Sequence, residues 1–300
     1  MKKVTAILTA DLHLRDTVPI ARTDDFMSAQ KRKLEFIKQL SILHKCIVLI
    51  AGDIFDKAKS SPYIQAMTLS NFPERAIGIP GNHCLPFHSL KNYENSSFHV
   101  LEAAGAIKTL LDNKEELILE EEGLRITGFP FGVKFQDSPE PFEGRKISLV
   151  HDMVVKDKKI HESIESKKAI SMLKNTSYDL IVTGDNHTPF TEEHEGRLLV
   201  NCGSMMRTTA AQGDYKPAVW LWYAEDNTVE KVYLPIEKDV ISRDHLDFKE
   251  LRNARMDAFI ESADKDYDVS SSFEKNLNSY YGKNKTRKGV KSLISESLGD

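Results

Sequence analysis

Residues 47–56 read Ile-Val-Leu-Ile-Ala-Gly-Asp-Ile-Phe-Asp. Five apolar residues follow one another without alternation. That is the pattern of a strand buried on both faces, as in a parallel sheet covered by helices. Gly52 then lets the backbone turn sharply, and two carboxylates follow. The same ending recurs along the chain. Val4–Ala10 leads into Asp11-Leu12-His13, and Ala76–Ile79 into Pro80-Gly81-Asn82-His83. Ile147–Val150 leads into His151-Asp152, and Leu180–Thr183 into Gly184-Asp185-Asn186-His187. Five strands thus present Asp, His and Asn at their carboxyl ends, where the sites of α/β sheets collect.

Helical spacing fills the gaps between the early strands. Residues 24–44 place Phe26, Ala29, Leu34, Ile37, Leu40 and Leu43 near one face, with Thr23 or Asp24 as the expected cap. Segments 61–70, 95–104 and 163–174 also read as helices. Leu117–Glu120 and Leu124–Gly128 read as a hairpin, and Arg197–Val200, Ala218–Tyr223 and Val229–Leu234 as later strands. Alternating strands and helices followed by a strand-rich half predict an α/β fold: a two-sheet αββα sandwich over residues 1–240. Residues 241–300 are expected to form a helical C-terminal segment, with helices near 247–262 (Phe248, Leu251, Ala258, Phe259), after a Ser271/Glu274 capping box, and over 286–298. Their apolar stripes are narrow and need a surface to pack on.

Composition sets outer limits. The chain has 300 residues, a formal net charge of -4, 40% hydrophobic and 29% charged residues, which fits a globular protein and argues against general coating of nucleic acid. Gly and Pro are 15 and 11, too few for a low-complexity chain. No apolar run approaches the length of a membrane span. Three cysteines without a CxxC pair fit a reducing, cytoplasmic setting.

Carboxylate, imidazole and amide oxygen together suit a borderline divalent metal, and the five endings supply too many ligands for one ion. Two ions sharing a carboxylate would use them and could clamp a phosphoryl group. The ordered set DxH, GDIFD, GNH, H and GDNH resembles the calcineurin-like metallophosphoesterases, over residues 4–204. Within them DLHL at 11–14 and GDIFD at 52–56 look most like the Mre11/SbcD-type DNA nucleases.

That resemblance implies a role for each motif residue. Asp11, His13, Asp53 and His187 would hold the first metal, with Asp53 bridging. Asn82, His151 and Asp185 would hold the second. His83 would act on the leaving oxygen as a catalytic acid. The cofactors implied are two divalent ions, manganese first, with magnesium, iron or zinc as alternatives. The sequence departs from the family pattern twice: Asp185 stands where GHxH has its first His, and Cys84 where an Asp usually follows GNH. Arg207, after Asn201-Cys202-Gly203-Ser204, is read either as a phosphate contact or as a structural group. The lysines at 156, 158, 159, 167 and 168, and the C-terminal basic cluster, are read as solvated faces or as a track for a DNA backbone.

The function implied is a metal-dependent DNA exo- or endonuclease of repair, recombination or replication. Its expected partners are DNA, an SMC-like coiled-coil ATPase of the Rad50/SbcC type gripped by residues 245–300, and a second copy of the chain through 86–105. Two alternatives stay open: a small nucleotide phosphodiesterase of the same superfamily, and a non-catalytic subunit that binds DNA ends or an ATPase.

Overall fold

The computed structural model describes the chain except residues 1, 115, 139, 157–164, 267–272 and 299–300, and the side chains of 248, 249, 259, 261–266 and 298. It divides into two compact units, Met1–Ser242 and Arg243–Asp300.

In the first unit, β1 (Ala6–Thr9), α1 (Phe26–His44), β2 (Ile47–Ile50), α2 (Pro62–Asn71), β3 (Ala76–Gly78), α3 (Ser97–Ala103) and β4 (Ile107–Thr109) alternate. Then come β5 (Glu116–Leu119), β6 (Leu124–Phe129), β7 (Arg145–His151), β8 (Val154–Val155), β9 (Lys167–Lys168), α4 (Ala169–Lys174) and β10 (Leu180–Gly184). The unit closes with β11 (Phe190–His194), β12 (Arg197–Asn201), β13 (Ala218–Tyr223) and β14 (Thr228–Tyr233). One sheet runs β14-β13-β1-β2-β3-β4 and the other β11-β12-β10-β7-β6-β5, with β8 and β9 paired apart.

The expected sandwich is what forms. Ala6, Leu8, Ile47, Leu49 and Ile77 of the first sheet share one cluster with Ile126, Ile147, Leu149, Leu180 and Val182 of the second. The opposite face of the first sheet, with Ile7, Val48 and Ile50, packs on Phe26, Leu34 and Ile37 of α1. Both faces of these strands are buried, so they read as continuous apolar runs.

Register places the motif residues. Thr9 pairs with Ile50 and Ile50 with Gly78, all in parallel, so Asp11, Asp53 and Asn82 emerge at one edge. In the second sheet Gly184 lies beside His151.

Several local expectations need correction. Asp25 caps α1, accepting from the Ser28 amide at 3.1 Å. Leu43 is exposed, while the buried face of α1 takes in Gln30 and Lys33. Helix α4 starts at Ala169, because Lys167 and Lys168 pair with Val154 and Val155; residues 163 and 164 lie outside the described ones. Strands β4 and β11 were not anticipated: one is three residues long, and the other, Phe-Thr-Glu-Glu-His, is a polar edge strand.

The second unit holds α5 (Asp244–Asp266), α6 (Phe273–Lys283) and α7 (Lys288–Leu298). Helix α6 runs through Gly282 to Lys283. Leu251, Phe273, Tyr280 and Leu293 are exposed. Ser271 and the side chains of Phe248, Phe259 and Leu298 lie outside what is described. Among the described residues no helix is long and apolar enough to cross a membrane.

Candidate metal centre

The DLHL and GDIFD stretches are zipped together just past the ends of β1 and β2. The Asp11 amide donates to the Gly52 carbonyl (3.2 Å), His13 to Asp53 (3.0 Å) and Leu14 to Ile54 (2.9 Å). The Gln30 side chain, buried on α1, fastens the far end by bonding both backbone groups of Arg15 at 2.9 and 3.0 Å. From the other sheet the Met205 amide donates to the Asp11 carbonyl at 3.0 Å. Asp11, His13, Asp53 and Asp185 all adopt positive φ, 45° to 86°. Left-handed backbone at non-glycine residues is held against strain by its surroundings, as is common at functional sites.

Three groups of side chains converge: Asp11, His13 and His187; Asp11, Asp53 and His151; and His13, Asp53 and His83. Asp11, His13, Asp53 and His151 are buried, whereas His83 and His187 are exposed at the rim. His13 Nε2 and His187 Nε2 face each other at 3.1 Å. His151 donates through Nδ1 to the Ala51 carbonyl at 2.8 Å, which turns Nε2 toward Asn82 Oδ1 (3.0 Å) and Asp53 Oδ2 (3.4 Å).

This donor set fits two divalent cations. Facing ring nitrogens, and an imidazole nitrogen aimed at two acceptor oxygens, need either protons or a metal between them. Asp11 and Asp53 lie away from water, and their ion-pair partners among the described residues are histidines. Asp11, His13, Asp53 and His187 would hold one ion, and Asp53, Asn82 and His151 the other. Asp185 contributes its carboxylate to none of the three convergent groups. Its amide donates to both Asp11 carboxylate oxygens at 3.1 Å, and its charge is felt by His151 and His187.

The electrostatics describe a site short of positive charge. Burial pushes Asp11 up to about 8 and His13 down to about 3. Burial would also raise Asp53, but the adjacent His151 outweighs it and holds the carboxyl at about 2. His151 is lowered by burial and raised by Asp53, Asp11 and Asp185, for a net rise to about 10. Burial raises Asp185 and lowers His187. A proton on His151 therefore balances the carboxylates where a cation would otherwise sit.

Close approach explains two of the glycines. A Cβ at Gly52, where φ is +99°, would meet His151 Nδ1 at 1.9 Å; one at Gly81 would meet Asp53 Oδ1 at 2.2 Å.

Cys84 does not orient His83. The His83 ring instead bonds through Nδ1 to the Asp56 carbonyl at 2.9 Å, and its amide bonds Asp53 Oδ1 at 3.0 Å. Cys84 is buried, with its thiol pushed far up by burial. The Asp56 carboxylate structures the loop, 3.3 Å from Arg15 Nη1 and 3.6 Å from His13 Nδ1. Asp152 pairs with Lys167, and His88 bonds the Asn82 carbonyl at 3.0 Å. Of the two readings of Arg207, the contacts support the structural one. Its side chain is 5% exposed and its terminal nitrogens bond the carbonyls of Gly213 (2.9 Å) and Glu237 (2.7 Å), so it is not offered to a substrate at the metal centre.

Two supporting residues escaped the sequence reading. Asn201, buried at the end of β12, bonds the Asn186 and Thr188 carbonyls (2.6 and 2.8 Å) and shapes the loop that carries His187. Its place at a strand end beside Gly203 was the available signal. Lys33 offered none, because a helical lysine reads as solvated.

Residues 5–216 match the calcineurin-like phosphoesterase superfamily domain. Among solved structures, a novel archaeal phosphodiesterase aligns at 13% identity and a TM-score of 0.41, over 76% of this chain and 99% of that one. A putative 5'-nucleotidase from Staphylococcus aureus aligns at 14% and 0.44, over 83% and 58%. The phosphopantetheinyl hydrolase of Mycobacterium tuberculosis aligns at 14% and 0.43, over 76% and 95%. No curated protein matches the sequence.

Proposed function

The chain belongs to the calcineurin-like phosphoesterase superfamily, and from that premise we propose that it is a metal-dependent phosphodiesterase acting on small diesters of the nucleotide class. The observation that carries this reading is Asp185. With two divalent ions bound, Asp185 makes the site one charge less positive than a neutral His at that position would. That lower positive charge suits a diester, with a single negative charge, better than a doubly charged monoester.

The ions, when bound, supply Lewis acidity at the phosphoryl group. The protein's own part is to hold them and to manage a proton. With its Nδ1–H donated to the Asp56 carbonyl, the exposed His83 ring presents Nε2, which in the imidazolium form delivers a proton to the leaving oxygen.

A small substrate is favoured over DNA by the state of the basic residues. Lys156 is paired with Glu192 at 3.3 Å, Lys167 is paired with Asp152, and the Lys291 ammonium sits over the Tyr281 ring, 4.7 Å from its centroid. Lys158 and Lys159 lie outside the described residues. The DNA-nuclease reading stays as the second, supported by the zipped DLHL and GDIFD loops.

The deciding experiment compares bis-p-nitrophenyl phosphate, a linear dinucleotide, p-nitrophenyl phosphate and end-labelled DNA, with manganese or with EDTA. Small diesters should turn over about tenfold or more faster than the monoester, the ratio expected from roughly 1.4 kcal/mol of charge matching. Asp185→His should narrow that ratio. Cleavage of DNA without turnover of small diesters would hand the site to the nuclease reading, and a monoester preference would remove the diester reading.

A further inference from the structure

A second charged cavity, of about 70 Å³, lies between α1 and the strap that follows β14, and none of its lining residues belongs to the metal cluster. Arg22, Asp24, Arg32, Lys33, Arg207 and Glu237 line it, four cations to two carboxylates. We propose that this cavity is a binding site for a phosphate-class oxyanion.

The two carboxylates are already committed. Asp24 takes Arg22 in a bidentate pair at 2.7 and 2.6 Å, and Glu237 pairs with Arg32. Lys33 and Arg207 form no ion pair among the described residues, although they are only 3% and 5% exposed. Lys33 donates one of its three N–H groups to the Met205 carbonyl at 2.7 Å. Arg207 uses both terminal nitrogens on carbonyls, while its Nε is buried without an acceptor among the described residues.

Buried cations without counter-charge are strongly unfavourable, and Lys33 and Arg207 both line this one cavity. Burial, reinforced by Arg22 and Arg207, lowers Lys33 to about 7, as expected of an ammonium group that lacks its anion. The cavity has room for one tetrahedral oxyanion or a few waters. Phosphate presents acceptor oxygens on every side, which suits guanidinium and ammonium donors arriving from different elements.

The cavity is separate from the metal centre. Met205 stands between them, its amide on the Asp11 carbonyl and its own carbonyl on Lys33. The proposal therefore does not depend on the reaction assigned above.

The test is calorimetric titration of inorganic phosphate into the full manganese-loaded chain, into Asp53→Asn, which disables the ion site, and into Lys33→Met. The Asp53→Asn protein should still bind phosphate, and adding Lys33→Met to it should abolish that binding. Lys33→Met alone should bind one phosphate fewer than the parent. Should Lys33→Met fail to fold, Arg32→Ala at the exposed rim should weaken binding to the Asp53→Asn protein about tenfold, the scale of one lost charge-assisted hydrogen bond. A folded Asp53→Asn protein that binds no phosphate, or a Lys33→Met protein that binds as much as the parent, would overturn the proposal. Adenosine monophosphate as competitor identifies the source: displacement of phosphate points to an ester phosphate on a larger ligand, and no displacement to the free ion.

Discussion

Replacing Gly81 by alanine adds one methyl group inside the metal centre. The new Cβ would lie 2.2 Å from Asp53 Oδ1, 2.6 Å from Asp53 Cγ and 2.6 Å from His151 Cε1. Ordinary carbon–oxygen contact begins near ~3.3 Å, so Asp53 must retreat by about 1 Å. It is poorly placed to do so, because the same oxygen accepts the His83 amide at 3.0 Å. The backbone itself tolerates alanine, since Gly81 is not among the positive-φ glycines. Overpacking should destabilise the fold by about 1–3 kcal/mol, partly offset by about 0.4–1 kcal/mol from a stiffer unfolded chain. Function should suffer far more, because a 1 Å misplacement of a reacting constellation can reduce rate by about 10²-fold. The assay is kcat/KM on bis-p-nitrophenyl phosphate, with metal content and thermal unfolding measured on the same samples. Gly105→Ala is the control: φ there is +70° but nothing lies within 4 Å, so it should lose stability and keep activity. Retention of both ions and of kcat/KM within about threefold of the parent by Gly81→Ala would refute the placement of Asp53 at the centre of the site.

Three further outcomes follow from the same geometry. His83→Ala should lower kcat by about 10²–10⁴-fold while leaving metal content and melting temperature near the parent values, as read by metal analysis and calorimetry. In metal-free protein the His151 proton stabilises the fold, because its folded pKa of about 10 lies above the unfolded value. That contribution is complete below ~6.5 and is lost as pH rises through 10, so the melting temperature of the chelated protein should fall from pH 7 to 10 while that of the ion-loaded protein changes less. All three cysteines are buried, with thiols raised by burial, so a thiol reagent should label none in the folded chain and all three after unfolding.

The site's composition was readable because the ligands follow apolar runs, and each run ends within three residues of a ligand. Parallel register then brings Asp11, Asp53 and Asn82 to one edge. What the residues could not disclose is the work of backbone atoms. The carbonyls that hold His83 and His151 belong to Asp56 and Ala51, and a main-chain acceptor leaves no mark in a sequence. Strand β11 was lost for a related reason: an edge strand needs little apolar surface, and Phe-Thr-Glu-Glu-His offers only Phe190 to the core. Lys33 went unnoticed because charge ordinarily predicts solvent, yet it lies buried on α1 with its ammonium on the Met205 carbonyl. The motifs also say little about substrate, since the residues that grip metal are common to monoester, diester and nucleic-acid chemistry.

The facing imidazoles of His13 and His187 stand 174 positions apart in the chain. A ribosome therefore delivers the metal centre in instalments. Asp11, His13, Asp53 and Asn82 emerge early, on strands that can pair among themselves, and form an incomplete cup of carboxylate, imidazole and amide. His151 follows, and Asp185 and His187 arrive only with the tenth strand. Until then a nascent chain has some ligands for an ion but not the full cage. Chelation or metal starvation during synthesis should thus act on a different species from chelation of the finished protein, and pulse-labelled chains should acquire resistance to proteolysis by metal only after residue 187 has cleared the exit tunnel.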